Sequence, residues 1–474
     1  MKNIFILTIS ILFAISLFSF QDDRVDSKEN PPQFSNGNYE ILPNGLQIYA
    51  FYSDTKLLHI VCYIRAGEVC GSDAKKGVAT LTFYSILTGG TKNFPKEKLD
   101  SLKKDKGIEI STNMDYEWVK IEVKSFKEDY DLCLNILKEF ISSANLDEKS
   151  ISDVKNSLKK EIGSKPGDAS KKVYKTLFTL LYGDDTIESQ NIHPGQIEKI
   201  SREDIVAFYK KFYSFSDTFI GVTTSMEAEN LIKSVKNVFG TMPSSTPQTC
   251  PYPDKNDNES IVTILQKVDA PTSLVGIGKK LYFPKNRKIE DDFPVLDLMS
   301  VLLASDSPSA RLLHALKFDR NLSQNVIFNF YFSYKPYKAY FTVFFDAPPE
   351  RTGFATYLAG KSFADIITNP PTEGELKDAK NCIKNKLVEI VKDPQRLLYV
   401  NSEYLLQGFP KDYLNQYWER ILKASQNDVV DVCREYLSFT KYQYVIFGPG
   451  EKFVKEFEVF GKIVIRNAEI ELPI

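Results

Sequence analysis

Histidine is almost missing from this chain: His59, His193 and His314 are the only three in 474 residues. No two of them stand at a helical or short strand spacing, so no local pair of imidazoles is available for a metal. Cysteine is sparse as well. Cys62, Cys70, Cys133, Cys250, Cys382 and Cys433 contain no Cys-x-x-Cys pair, which excludes a zinc knuckle and a dithiol redox motif. Buried free thiols are the expected state. Gly-x-Ser-x-Gly does not occur, and no cysteine stands in sequence context with a base, so neither nucleophilic arrangement is offered. The formal net charge is only -2, which leaves no global attraction to nucleic acid or anionic lipid. Beyond the first twenty residues no segment is apolar enough to span a bilayer.

What the chain does have is the composition of a globular protein, with 43% hydrophobic and 26% charged residues. Its length fits two domains of about 200 residues each. Phe (33) and Tyr (25) are abundant, which suits strands and aromatic interfaces. The N-terminus places Lys2 before an apolar run from Ile4 to Phe20, followed by Gln21-Asp22-Asp23. That is the pattern of a signal peptide over residues 1–20, and it implies an exported, periplasmic or secreted protein. A membrane anchor formed by residues 4–20 is the alternative. A flexible segment is expected over 21–38.

The chain repeats itself. Ile151-Ser-Asp-Val-Lys-Asn-Ser-Leu-Lys-Lys-Glu-Ile162 matches Leu376-Lys-Asp-Ala-Lys-Asn-Cys-Ile-Lys-Asn-Lys-Leu387 in its apolar spacing of three and four, at an offset of 225 residues. Asp204 to Phe215 parallels Asp428 to Phe439 at an offset of 224, and each is followed by a strand-like run, Thr218 to Val222 and Gln443 to Phe447. Two matches at nearly one offset define a duplication. The proline-rich stretch Pro243 to Pro253 and the polar run to Glu259 form a linker over 243–260 between domains at 39–242 and 261–474. Short β-like runs (Leu46–Ala50, Leu57–Ile64, Ile108–Thr112, Trp118–Val123, Ile261–Leu265, Leu274–Ile277, Val326–Phe332, Ala339–Phe345) alternate irregularly with helical stretches such as Val78–Leu87. The expected class is α+β: two duplicated sandwich domains, each a mainly antiparallel sheet with helices packed on it.

The order of short motifs carries a resemblance. Leu42-Pro-Asn-Gly-Leu46, Ile64-Arg-Ala-Gly-Glu68, Gly77-Val-Ala79 and Thr88-Gly-Gly-Thr91 are followed by Arg202 to Tyr213, Ser309-Ala-Arg-Leu312, Phe409-Pro-Lys-Asp-Tyr413 and Phe447-Gly-Pro-Gly450. This series resembles the pitrilysin/insulinase family of zinc metallopeptidases, including the mitochondrial processing peptidase group. In active members the helix after Gly-x-Ala carries His-x-x-Glu-His: two imidazoles one turn apart hold Zn²⁺ and the glutamate serves as general base. The resemblance puts Thr80, Phe83 and Tyr84 at those places. No His, Asp, Glu or Cys occurs between Lys76 and Glu97. Glu161 falls on the family's third ligand, and one carboxylate cannot make a closed zinc site. The family's Arg and Tyr in the second domain fall on Lys317 and Gln324, which keep a charge and a donor without the guanidinium fork or the phenol.

The resemblance therefore implies a catalytically silent member without a cofactor of its own, where active relatives use zinc. Its expected partner is a homologous zinc-bearing subunit, or a second copy of itself, and no nucleic acid. An extended peptide is the expected ligand, added as a strand to a sheet edge at Gly107, Ile108, Glu109, Ile110 and Ser111. Glu109 and Ile110 stand where the family carries Asn and Ala. A scaffold of the same fold is the alternative, and a divergent peptidase holding metal through Tyr84, Glu161 and water is a further one. The N-terminus lacks the Arg-rich character of a mitochondrial transit peptide, which makes that address an alternative only.

Overall fold

A computed structural model of the chain describes residues 34, 37–71, 75–115, 117–163, 168–183, 194–244, 259–282, 287–304, 310–334, 337–437 and 440–469. The expected signal peptide, most of the segment over 21–38, most of the linker, Cys250, His193 and Ser309 lie outside them. Twelve strands form two six-stranded sheets. In the first half these are β1 (Asn38–Ile41), β2 (Gln47–Tyr52), β3 (Leu57–Ile64), β4 (Glu109–Met114), β5 (Val119–Phe126) and β6 (Thr218–Thr224). The second half has β7 (Ile261–Gln266), β8 (Ser273–Lys280), β9 (Val326–Tyr334), β10 (Tyr337–Ala347), β11 (Gln443–Gly448) and β12 (Lys462–Asn467).

The strand orders are β1-β2-β6-β3-β5-β4 and β12-β7-β11-β8-β10-β9. Most neighbours are antiparallel; β2 with β6 and β7 with β11 are the parallel pairs that both halves share. The predicted runs Leu46–Ala50 and Leu57–Ile64 contribute to β2 and β3, and β6 lies between these strands in the sheet. The duplication breaks at one edge. There the first sheet uses an antiparallel strand from the start of its half, β1, and the second a parallel strand from the chain's end, β12.

Period-two patterning sets the layers. Along β5, Val119, Ile121 and Val123 point into the first-half core while Lys120, Glu122 and Lys124 point away. Ile48, Ile60, Cys62, Ile220 and Val222 join that core beneath the helices Val78–Gly89, Tyr130–Ser142 and Arg202–Phe212. The other face of each sheet is not left to solvent. Helix Pro394–Leu406 of the second half packs on β6 and β3 of the first sheet, and helix Ala169–Tyr182 of the first half packs on β8 and β11 of the second. The two halves have exchanged equivalent helices, so Tyr49, Phe51, Val61, Tyr63 and Phe219 belong to the second half's core.

One expectation is corrected. Cys62, Cys133 and Cys433 are buried free thiols and Cys382 is a half-buried one, but Cys70 is disulfide-bonded. Spacing along the chain does not report which thiols folding brings together, so the scattered pattern could not show this bond.

Candidate functional site

Helix Val78–Gly89 is assigned by the resemblance to the place of the family's zinc helix. It has no side-chain cap of its own, because its N-cap is Gly77, in the left-handed region at φ 91°. The exposed amides are met from elsewhere: Glu68 Oε1 accepts from the Thr80 backbone N–H at 2.8 Å and also from the Thr80 hydroxyl. A carboxylate there complements the positive end of the helix. Burial pushes the Glu68 carboxyl up, and the Thr80 and Gly77 bonds oppose that shift.

Thr80 is thus spent on Glu68. Phe83 is 4% exposed and faces the core, with its ring 5.0 Å from that of the half-buried Tyr84. Helix Glu148–Gly163 packs against this helix and holds Glu161 in its last turn. The donor chemistry at these three positions does not fit zinc: a hydroxyl already bonded to a carboxylate, a phenyl ring and a phenol stand where the resemblance calls for two imidazoles and a base. Among the described residues no group of three or more His, Cys, Asp or Glu is placed to hold a metal.

The other predicted positions are dispersed. His59 lies buried in β3, and burial, then Lys124, lowers its pKa. His314 Nδ1 is 3.0 Å from Asp319 Oδ1 at the half-exposed surface of the second half. Lys317 lies in the short helical segment His314–Phe318 with its ammonium 6.0 Å from the Phe318 ring, and Gln324 turns its amide to Asn321 Oδ1 at 2.7 Å. Arg311 of the quoted motif is a clamp. It pairs with Glu375 at 2.8 Å and donates to the carbonyls of Asp365 and Asn369, and it helps hold the Glu375 carboxyl down at about 2.

The candidate peptide edge lies where a strand can be added. Among the described residues β4 is the last strand of the first sheet, paired on one side only, with β5. It starts at Glu109, one residue later than the predicted run Ile108–Thr112. Gly107, at φ 65°, ends helix Lys96–Lys106, Ile108 is buried at 2%, and Glu109, Ile110 and Ser111 open a strand that runs on to Met114. Ile110 and Met114 pack on the first-half core, whereas Glu109, Ser111 and Asn113 are exposed on the opposite face.

The seam beside this edge went unnoticed in the sequence. Tyr63 of β3 donates to Glu403 of helix Pro394–Leu406 at 2.6 Å, across the two halves. Tyr399 also donates to Glu403, and the Lys120 ammonium lies 3.8 Å from the Tyr399 ring centre. Next to them Arg65 pairs with the buried Glu117 and lies 5.6 Å from the Trp118 ring centre. Burial pushes Glu117 up to about 8 despite Arg65. Arg65 sits inside the quoted Ile64-Arg-Ala-Gly-Glu68 motif, but 340 residues separate Tyr63 from Glu403 and no periodicity links them.

The fold and this helix define a chain of the insulinase type, and comparison with known proteins agrees. Residues 52–195 match the insulinase (peptidase family M16) model and residues 199–382 the peptidase M16 inactive domain. The chain belongs to this family, as an inactive-type homologue. It is 23% identical over 210 residues to the probable mitochondrial-processing peptidase subunit beta of Arabidopsis thaliana, a stretch covering 44% of this chain and 39% of that relative's length. Among solved structures it is similar to a protease from Helicobacter pylori (17% identity, TM-score 0.75, covering 88% of this chain and 100% of that one). The periplasmic protease PqqL of Escherichia coli is matched at 15% identity and TM-score 0.76, over 92% of this chain but 48% of PqqL. These structural likenesses concern the fold.

Proposed function

We propose that this protein is the non-zinc member of a paired peptidase assembly and receives extended peptides along β4. The observation that carries the reading is a contrast within one half: the zinc helix has lost its donors, while the neighbouring sheet keeps a six-residue edge strand paired on one side. Strand addition needs backbone N–H and C=O groups rather than a metal, so peptide recognition survives the loss of zinc ligands. The partner is a homologous subunit with an intact His-x-x-Glu-His. Support comes from the fact that this chain spans about half of PqqL, and that the Arabidopsis relative is named as a subunit. The protein works outside the reducing cytosol, a reading supported by the signal-like N-terminus and the disulfide at Cys70.

Two measurements test this. Affinity purification from the native source should recover a homologue bearing the zinc motif, with chelator-sensitive peptidase activity in the pair and none in this chain alone. Hydrogen exchange on the purified chain should show slowed amides over Glu109–Met114 when an extended peptide is added. Recovery of the chain alone, with no peptide-dependent change at β4, would refute the reading in favour of a scaffold.

A further inference from the structure

The four sheet edges are not protected alike. A strand edge is a template for further pairing, and folded proteins blunt it with charge, proline or shortness. Among the described residues the edges are β1 and β4 of the first sheet and β12 and β9 of the second. β1 has four residues and Glu40, β4 has six and Glu109, and β12 has six with Lys462 and Arg466. β9 is the longest at nine, Val326–Tyr334, and none of them is charged, proline or glycine. That composition is the signature of a strand that pairs. The strand is also held ready. Phe328, Phe330 and Phe332 are buried in the second-half core, and Phe328 stacks on Phe341 of β10 at 5.9 Å. The Asp346 carboxylate fixes the entry to β9, accepting from the Ser323 hydroxyl at 2.8 Å and from the Asn325 backbone N–H at 2.9 Å. On the opposite face Tyr331 stacks on Tyr340 at 5.1 Å, while Ile327 is 52% exposed.

We propose that β9 is a self-pairing edge, to which a second copy of this chain adds its own β9, antiparallel across a two-fold axis, so that the two second-half sheets become one. The lack of charge selects the copy as occupant. A strand with a charge at its middle meets that charge again across such an axis, and like charges directly opposite each other are destabilising. β9 has none to meet. With Asn329 on the axis, Ile327 falls opposite the partner's Tyr331 and Phe328 opposite the partner's Phe330, aromatic and β-branched pairs of the kind that stabilise antiparallel sheets. Asn329 then meets its counterpart, an amide that can both donate and accept. Both copies use the same edge, so the assembly closes at two. One strand pair covers less surface than a permanent interface, which makes the association concentration-dependent. The pairing does not rest on the peptide reading, because β4 and β9 are edges of different sheets.

Sedimentation velocity on the purified full chain should show a monomer–dimer equilibrium that shifts with concentration. Hydrogen exchange over the same range should slow across Val326–Phe332 as the dimer fills, with Glu109–Met114 unchanged. Ile327→Lys places a charge at an exposed position, where the monomer tolerates it and a paired strand must desolvate it. It should raise the dimer dissociation constant about tenfold or more and leave the far-ultraviolet circular dichroism as it was. Should that variant misfold, the exchange pattern of the unaltered chain decides. A monomer at every concentration would overturn the pairing, whether its β9 amides exchange quickly or are slowed from within the chain. So would a dimer whose β9 amides exchange as in the monomer, or one that a folded I327K leaves intact.

Discussion

Glu68 shows how a distant side chain can cap a helix that begins on glycine. It stands ten residues ahead of the helix it caps and supplies what Gly77 cannot. Glu68→Ala should cost about 1–2 kcal/mol, the range for loss of a charged helix cap, read as a lower denaturation midpoint at unchanged slope. Phe83 illustrates the reverse constraint. Rebuilding the family motif as T80H/F83E/Y84H would bury a carboxylate where a 4%-exposed ring packs, and the Phe83→Glu change alone should destabilise the chain by about 3 kcal/mol in urea melts. Asp297, buried in the second-half core with Tyr417 donating to it at 3.2 Å, is pushed up to about 7. The folded chain then holds a proton that the unfolded chain releases. This contribution is full below about pH 4 and is lost as pH rises to 7. Asp297→Asn should therefore gain relative to the wild type between pH 4.5 and 7.5, by up to about 1.4 kcal/mol per pH unit at the steepest point.

Among the elements, the exchanged helices are the ones whose position depends on close backbone approach. A Cβ at Gly221 of β6 would lie 2.6 Å from Ser402 Oγ and 2.9 Å from Val61 Cγ1, and one at Gly276 of β8 would lie 2.8 Å from Val173 Cγ1. Gly221→Ala should cost about 1–3 kcal/mol by overpacking and should speed exchange in helix Pro394–Leu406 before it affects helix Tyr130–Ser142. Much at this scale was legible in advance. Val78–Leu87, Ile151–Ile162 and Leu376–Leu387 show their apolar spacing, and each lies within a helix. Helix Pro394–Leu406 was not legible, because it is apolar on more than one side: Leu398 meets the first half at Gly221 while Tyr404 meets Phe293 and Tyr413 of the second. β1 and β12 were missed because edge strands are short and only partly buried.

For the molecule as a whole, the exchange makes the two halves one folding unit. Each sheet has a face completed by a helix from the other half, so residues 39–242 or 261–474 produced alone would expose Tyr49, Phe51 and Phe219, or the β8–β11 face, to water. The full chain should melt in one calorimetric transition, and the separate halves should be recovered as aggregates or fail to melt cooperatively. Two independent transitions in the full chain would contradict that coupling.

The duplication, the α+β class and the missing zinc donors were decided by the sequence alone, because each is a statement about residue type at a spacing. The exchange of helices, the Cys70 disulfide, the capping by Glu68 and the charged seam at Glu117 and Glu403 were decided only in three dimensions. They depend on which distant surfaces exclude water together, and a one-dimensional pattern of polarity carries no record of which burial partner a face will find.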